Sequence, residues 1–416
     1  MAKQWKNKVY IVDVTNRDGV RVSKMVLSKL QKTMINMYLN DFGACESESG
    51  FPGMENERNY INANVQLAEK GVLKPIILRG WVRAMIEEVK QAIARTDLKH
   101  YHISAPFSDA SIQLRLGKEW NFSRVLEATL ECVKYAKSKG IETVTVGAND
   151  APRLPEDKLL EFGREMKKNN VDRIRYCDTW GFDDPYTTYS RIQTLAKAGL
   201  PIELHMHNDL GLAVANSLEG VEACLDSGVD CYVTTTINGF GERAGNADLL
   251  SVVVNLQKSR AFKDTFVLDK NIVLSKIRKI AFYTASAFGH EIPPNQVGVG
   301  SNVFIESSHL HVDGMMKEVQ NLGPFTLEDV GHSKPEVIET GRWISSGGSQ
   351  GIKGFRNIFG KFEIKFKDDK ECGHVLDLVR YACEHNHAAL TVDELRFIYN
   401  YPDLAEKILS VSLRDS

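Results

Sequence analysis

The chain has no long apolar run, no paired-cysteine spacing and no excess of either charge, and each absence removes a class of function. No stretch approaches the roughly 18–20 apolar residues that cross a bilayer, which argues against a membrane-spanning protein. The opening MAKQWKNKVYIVDV passes directly into a strand-like run. It has neither the apolar core nor the small-residue cleavage site of a secretory signal. Lysine plus arginine number 52 against 54 acids, a net charge of −2, so composition gives no basic surface for nucleic acid or an anionic membrane. Seven cysteines, at 45, 132, 177, 224, 231, 372 and 383, are odd in number and without CxxC spacing. They read as reduced thiols of a cytoplasmic protein and not as a metal site. Cys45, Cys177 and Cys231 fall in strand-like runs and are expected to be small core residues.

What is present is core-forming material. Hydrophobic residues make up 43% of 416 positions, enough for one large domain with an appendage. Short apolar runs recur at 9–14, 42–48, 74–80, 100–106, 142–148, 173–179, 202–207 and 231–237, with amphipathic segments such as 23–39 and 122–140 between them. In the latter, Val125, Leu126, Ala128, Leu130, Val133 and Ala136 share a helical face, and Gly140 is placed to end it. Eight βα units in about 255 residues predict a (β/α)₈ TIM barrel over residues 1–262. A doubly wound open sheet uses the same repeat, but it would scatter the chemical residues that a barrel gathers at one mouth. After residue 262 the pattern changes to helical segments near 270–289, 373–386 and 391–412 with Gly- and Pro-punctuated stretches between. Residues 263–416 are therefore expected to form mostly helical accessory subdomains covering the mouth.

The carboxyl ends of the strands carry the chemistry. IELHMH places His205 and His207 two apart, hence on one side of a strand and just before a helix starting near Gly211. Two imidazoles on one face can grip a divalent metal. A bare H-x-H also fits two packed or solvent-facing histidines, and the other strands separate the readings. Asp13, Arg17, Asp18 and Arg21 follow strand one, Glu46 and Glu48 lie on strand two, and Arg79 ends strand three. His102 and Ser104 come from strand four, Asn149 and Asp150 from strand five, Arg175, Asp178 and Thr179 from strand six, and Asn246 follows strand eight. Two imidazoles, a carboxylate and an amide oxygen make a mixed shell suited to Zn²⁺, Mn²⁺, Co²⁺ or Mg²⁺ with positions open for substrate. A two-histidine, one-carboxylate iron site is the competing metal reading, and a structural ion pair is the competing reading for Glu46 and Asp150.

DVTNRDGVR (13–21), ESGFP (48–52), HMHNDLGLAVAN (205–216), NGFGERAGN (238–246) and SHLHVDG (308–314) resemble, in order and spacing, the metal-dependent acyl-CoA condensing enzymes. That family includes the isopropylmalate, citramalate, homocitrate and Re-face citrate synthases, and the NRDGV form of the first motif looks most like the last of these. The resemblance implies that Asp18, His205, His207 and Asn246 hold the divalent metal. It implies that Arg17 stabilises the enolate and alkoxide, and that Glu48, Arg79, His102 and Thr179 line a 2-oxo-acid pocket. His311 would join in proton transfer, reaching over the mouth from a partner subunit of a homodimer.

The implied reaction is a Claisen condensation of acetyl-CoA with a dicarboxylic 2-oxo acid, followed by thioester hydrolysis. Oxaloacetate, giving citrate, is the first choice of acceptor and 2-oxoglutarate the second. A metal-dependent acyl-CoA lyase on the same barrel is the alternative. Three departures bear on this reading. Arg21 stands where many members have glutamine, either to pair with a distal carboxylate or as an outward-facing charge. Asn149 replaces the family's strand-five glutamate, and the glycine–lysine–histidine–serine–glycine motif appears only as GGSQG (347–351).

Overall fold

Eight parallel strands pair in sequence order and close on themselves: β1 Val9–Asp13, β2 Glu46–Gly50, β3 Ile77–Arg83, β4 His100–Pro106, β5 Thr143–Asn149, β6 Arg173–Asp178, β7 Ile202–Met206 and β8 Cys231–Thr235. Closure runs through β1 and β8, in register from Val9↔Cys231 to Asp13↔Thr235. This computed structural model describes residues 4–23, 25–304, 323–332, 355–356, 359–360, 364–386 and 390–410. All eight expected strands are present, and the open-sheet alternative is excluded by the closed pairing. His311, the rest of SHLHVDG and GGSQG lie outside the described residues.

An outer layer of helices covers the strands: α1 Lys29–Phe42, α2 Arg58–Glu69, α3 Ile86–Arg95, α4 Asp109–Leu116, α5 Phe122–Ser138, α6 Glu156–Lys168, α7 Pro185–Ala196, α8 Ala213–Asp226 and α9 Leu249–Lys258. Two boundaries move for identifiable local reasons. The first helix starts at Lys29 rather than 23 because Ser28 and Gln31 form a reciprocal capping box there. It ends at Phe42, where Gly43 turns left-handed (φ 89°), so β2 begins at Glu46 rather than 42. The third strand runs on to Arg83, three residues beyond its expected end. Arg79 is consequently in the middle of β3 and not at the mouth.

Beyond the barrel, α10 Ile277–Ala287 packs on α1, and α11 Asp369–Asn386, α12 Val392–Asn400 and α13 Pro402–Leu409 form a helical group whose last member packs on α1 and α2. The Tyr38 hydroxyl donates to Asp393 (2.8 Å) and that of Tyr283 to Glu394 (2.7 Å), tying this group to α1 of the barrel and to α10. One apolar cluster runs from Val9 to Leu409 without a break between the parts. Among the described residues, no helix is long and apolar enough to cross a membrane.

The barrel interior departs from the branched aliphatic layers that usually fill such barrels. Glu46, Glu48 and Glu203 face Arg79, Arg173 and Arg175 there, all buried. Arg79 donates from both terminal nitrogens to Glu203 (2.7 and 2.9 Å) and from Nη2 to Glu48 (3.1 Å), while Arg173 donates twice to Glu46 (2.7 and 2.8 Å). Charges removed from water need this density of partners to be tolerated. For Glu46 the ion-pair reading therefore holds.

Candidate metal centre and substrate pocket

At the mouth, three side chains from distant parts of the chain converge. Asp18 Oδ2 lies 3.2 Å from His205 Nε2 and 3.5 Å from His207 Nε2, with all three residues buried. Each occupies its place for a local reason. Arg17, Asp18 and Gly19 fold back after β1 by donating their amides to the Val14 carbonyl, which turns Asp18 over the barrel end. His205 is the fourth residue of β7, and His207 follows the strand in an antiparallel bridge with Asn246. The helix after it begins at Ala213, two residues past the expected start at Gly211.

The NGFGERAGN loop is shaped by its glycines. A Cβ at Gly241 would sit 2.0 Å from Asn246 Oδ1, and one at Gly245 (φ 90°) would sit 1.9 Å from the Gly239 carbonyl oxygen. Arg243 clasps Asp209 through Nε (2.7 Å) and Nη2 (3.0 Å), locking this loop to the one after β7.

Second-layer contacts fix the protonation of the cluster. The Thr234 hydroxyl donates to the Leu204 carbonyl (2.9 Å) and so accepts from His205 Nδ1–H (2.7 Å), which leaves the His205 Nε2 lone pair facing Asp18. Burial lowers the pKa of both imidazoles, that of His207 to about 4 with His205 adding to the effect, so both are neutral near pH 7. Burial opposes ionisation of Asp18, but the Arg17 guanidinium, 2.6 Å away, outweighs it and holds the carboxyl well below its usual range. Two neutral imidazoles and a carboxylate are the donor set of a divalent cation. Asn246 donates Nδ2 to Asp18 Oδ2 (3.1 Å), while its own Oδ1 is buried without a partner among the described residues. A half-turn of the amide would offer that oxygen as a fourth ligand. The residues present therefore fit a metal ion.

The cluster forms one wall of a cavity of about 470 Å³ lined by Arg17, Asp18, Arg21, Trp81, His102, Arg115, Asn149, Arg175, Cys177, Thr179, His205, His207 and Glu242. Arg21 faces this cavity and is not turned outward. Its guanidinium lies over the Phe51 and Trp81 rings (5.5 and 5.8 Å) and 3.2 Å from Asp18. Thr179 lines the cavity too, its hydroxyl accepting from the Asp150 amide (2.8 Å). Asp150 itself is ion-paired with Arg153 (2.7 Å), so the structural reading holds for it.

Glu48 and Arg79 do not line the cavity. Glu48 lies beneath it, accepting from Arg17 Nε (2.8 Å), Arg79, Arg175 and His102 Nδ1 (2.9 Å). These two residues, expected to line the 2-oxo-acid pocket, are buried in the middle of β2 and β3, because both strands are displaced relative to the expected registers. Trp81, Cys177, Arg115 and Glu242 were not singled out from the sequence. Period-2 alternation would have found two of them, since Trp81 follows Arg79 and Cys177 lies between Arg175 and Thr179. Arg115 lies on α4, an extra helix that no motif marks.

The ionisation of His102 gives a stability prediction. Burial, reinforced by the Arg175 charge, lowers its pKa to about 3 from an ordinary 6.5. The unfolded chain binds this proton first, so stability is fully present above about pH 6.5 and is lost as pH falls toward 3. Glu48, held well below the carboxylate range once Arg175, Arg17 and Arg79 outweigh its burial, adds a loss in the same direction at lower pH. The melting temperature is expected to fall from pH 7 to pH 4.5. His102→Gln should flatten that slope, and an unchanged slope would contradict the assignment.

Residues 8–283 match the HMGL-like family model. The chain belongs to the HMGL-like family. Among its relatives, it is 44% identical to the Citrate (Re)-synthase of Dehalococcoides mccartyi, over 97% of this chain and 98% of that one. It is 36% identical to 2-isopropylmalate synthase 2 of Caldanaerobacter subterraneus subsp. tengcongensis, over 81% and 83% of the two chains. To Homocitrate synthase 1 of Nostoc sp. it is 33% identical over 94% and 96%. The hydroxymethylglutaryl-CoA lyase of Pseudomonas aeruginosa superposes with a TM-score of 0.57 at 16% identity, over 69% of this chain and 95% of that one. At that identity the likeness shows the fold alone.

Proposed function

We propose that the protein is a metal-dependent acyltransferase that joins the methyl carbon of acetyl-CoA to the keto carbon of oxaloacetate, with water cleaving the thioester to give citrate and free coenzyme A. The observation that carries this reading is the buried Asp18–His205–His207 cluster opening into a cavity lined by Arg17, Arg21, Arg115 and Arg175. Similarity to a Citrate (Re)-synthase over nearly the whole chain supports the choice of acceptor, with 2-oxoglutarate second.

Asp18, His205 and His207, with the Asn246 oxygen, would hold a divalent cation. When bound, the cation supplies a Lewis acid that polarises the keto group of the 2-oxo acid. Arg17, fixed between Asp18 and Glu48, is the cation placed to neutralise negative oxygen developing in the cavity. His102, Thr179 and Arg21 contact the oxo acid, while Glu48 and Arg79 hold Arg17, Arg175 and His102 in place. His311 completes the proposal as the proton-transfer residue, within a cytoplasmic homodimer. A sedimentation measurement checks that assembly state.

Thiol release from acetyl-CoA, assayed with a divalent cation and a panel of 2-oxo acids, tests the reaction. Release should be fastest with oxaloacetate and yield citrate. Release without an acceptor would count against the proposed pairing, and acyl-CoA cleavage without synthesis would favour the lyase reading. Arg21→Gln is expected to raise KM for oxaloacetate roughly fivefold, the equivalent of about 1 kcal/mol for a partly exposed charge pair. An unchanged KM for both oxaloacetate and 2-oxoglutarate would remove Arg21 from the substrate site.

A further inference from the structure

One cation on the cavity wall has a donor to spare. Arg175 is fully buried in the middle of β6, and a guanidinium stays charged at any pH the protein meets. Its Nε donates to Glu203 Oε1 (2.5 Å) and its Nη2 is shared by Glu48 and Glu203. Its Nη1 is buried with no partner among the described residues, although the residue lines the cavity. A buried charged donor left open in this way costs free energy until something pairs with it. Among the described residues Arg79 Nε and Arg173 Nη1 also have no partner, but neither residue lines the cavity. Arg17, the other buried arginine on the wall, already donates to Asp18 and Glu48.

The depth of Arg175 matters as much as its charge. In the parallel register Cys177 pairs with His205 and Arg175 with Glu203, so Arg175 lies one inward-facing position below His205. Two residues of strand amount to roughly 7 Å, within reach of the far end of a short acid whose near end lies at the histidines. On the other side, Gly147 pairs with Arg175 and contributes no side chain. A Cβ there would lie 2.3 Å from His102 Nε2, so glycine leaves that wall open enough for His102 to lean over it. Above Gly147, Asn149 also lines the cavity. Its oxygen accepts from the Ser104 hydroxyl (2.9 Å), which leaves the amide N–H₂ as its remaining polar group.

We infer that Arg175, through Nη1, seats the distal carboxylate of the 2-oxo acid and so selects dicarboxylic over monocarboxylic acceptors. This assigns a specificity residue within the reaction proposed above, and it rests on that reading. Glu203 and Glu48 are then positioning residues that turn the guanidinium so that one edge is anchored and Nη1 remains available.

The test compares oxaloacetate with pyruvate in the wild-type protein, in Arg175→Lys, and in the charge-balanced pair Arg175→Met with Glu203→Gln, each checked for folding by circular dichroism. The ratio of kcat/KM for oxaloacetate to that for pyruvate should fall at least about a hundredfold, carried by KM for oxaloacetate, because a site built around a polar contact rejects the partner that lacks it. KM for acetyl-CoA should stay within about twofold, which a general loss of structure would not allow. Equal losses for both acceptors, or an unchanged ratio in a folded variant, overturn the inference. If neither variant folds, inhibition of the wild-type protein decides. Malate should then bind at least about tenfold more tightly than 2-hydroxybutyrate, which lacks the second carboxylate, and equal affinities overturn the inference. A wild-type protein that makes no citrate overturns the proposed reaction itself, whereas citrate synthesis with unchanged variants overturns the role of Arg175 alone.

Discussion

Replacing His207 by alanine is expected to lower kcat/KM for citrate formation by about a thousandfold or more and to strip the protein of its divalent cation. The magnitude follows from the several kcal/mol that a bound metal contributes to stabilising charge in the transition state, at about 1.4 kcal/mol per tenfold. His207 is 5% exposed, its Nε2 lies 3.5 Å from Asp18, and its ring is kept neutral by burial and by His205. Alanine leaves Asp18 and His205 with one imidazole fewer. Thr234→Val offers a graded comparison. It removes only the hydroxyl that accepts from His205 Nδ1, and it should weaken metal binding tenfold to a hundredfold, the usual range for such support. Metal content after dialysis, read beside turnover, checks both. A His207→Ala protein that retains its metal and its turnover would contradict the assignment.

Glu203→Leu is expected to destabilise the protein by about 3–5 kcal/mol, the range for breaking a buried ion pair from one side. Glu203 has no exposed surface and accepts from Arg79 at 2.7 and 2.9 Å, with Arg173 Nε 3.0 Å away and Arg175 against it. Burial opposes its ionisation, but Arg175, Arg79 and Arg173 together hold its pKa below the carboxylate range. Leucine would leave three buried guanidiniums short of a counter-charge in the centre of the barrel. Guanidinium unfolding measures the loss. A change below about 1 kcal/mol, as for a surface pair, would show that the interior network is not what organises the barrel. Because the same carboxylate orients Arg175, the variant should also lose oxaloacetate affinity beyond what its stability accounts for.

The parts of this architecture legible in the sequence are those with a strong local signature. Alternating apolar runs and amphipathic helices specify eight βα units, and the i, i+2 spacing of His205 and His207 specifies one face of β7. The convergence of Asp18 with those histidines is non-local, across nearly 190 residues of sequence, and became legible only through family motifs. Strand ends were the weak point. The apolar runs end β2 at Glu48 and β3 near Arg79, whereas Gly43 and the continuation of β3 to Arg83 set both residues within their strands. The ionic interior was hidden for a related reason. Charged residues on a strand suggest a functional mouth, and nothing local says that Glu46, Arg79, Arg173 and Glu203 satisfy one another within a closed barrel. Arg21 shows the converse, since its direction was undecidable until Phe51 and Trp81 were seen beneath its guanidinium.

The most direct measurement is a crystal structure of the protein with Mn²⁺ and oxaloacetate, with the ion located by its anomalous scattering. The ion should lie among Asp18, His205 and His207, with the near carboxylate and keto oxygen of oxaloacetate beside it and the far carboxylate on Arg175. An ion bound away from these three side chains in a protein that still makes citrate, or oxaloacetate seated outside the cavity, would contradict the account.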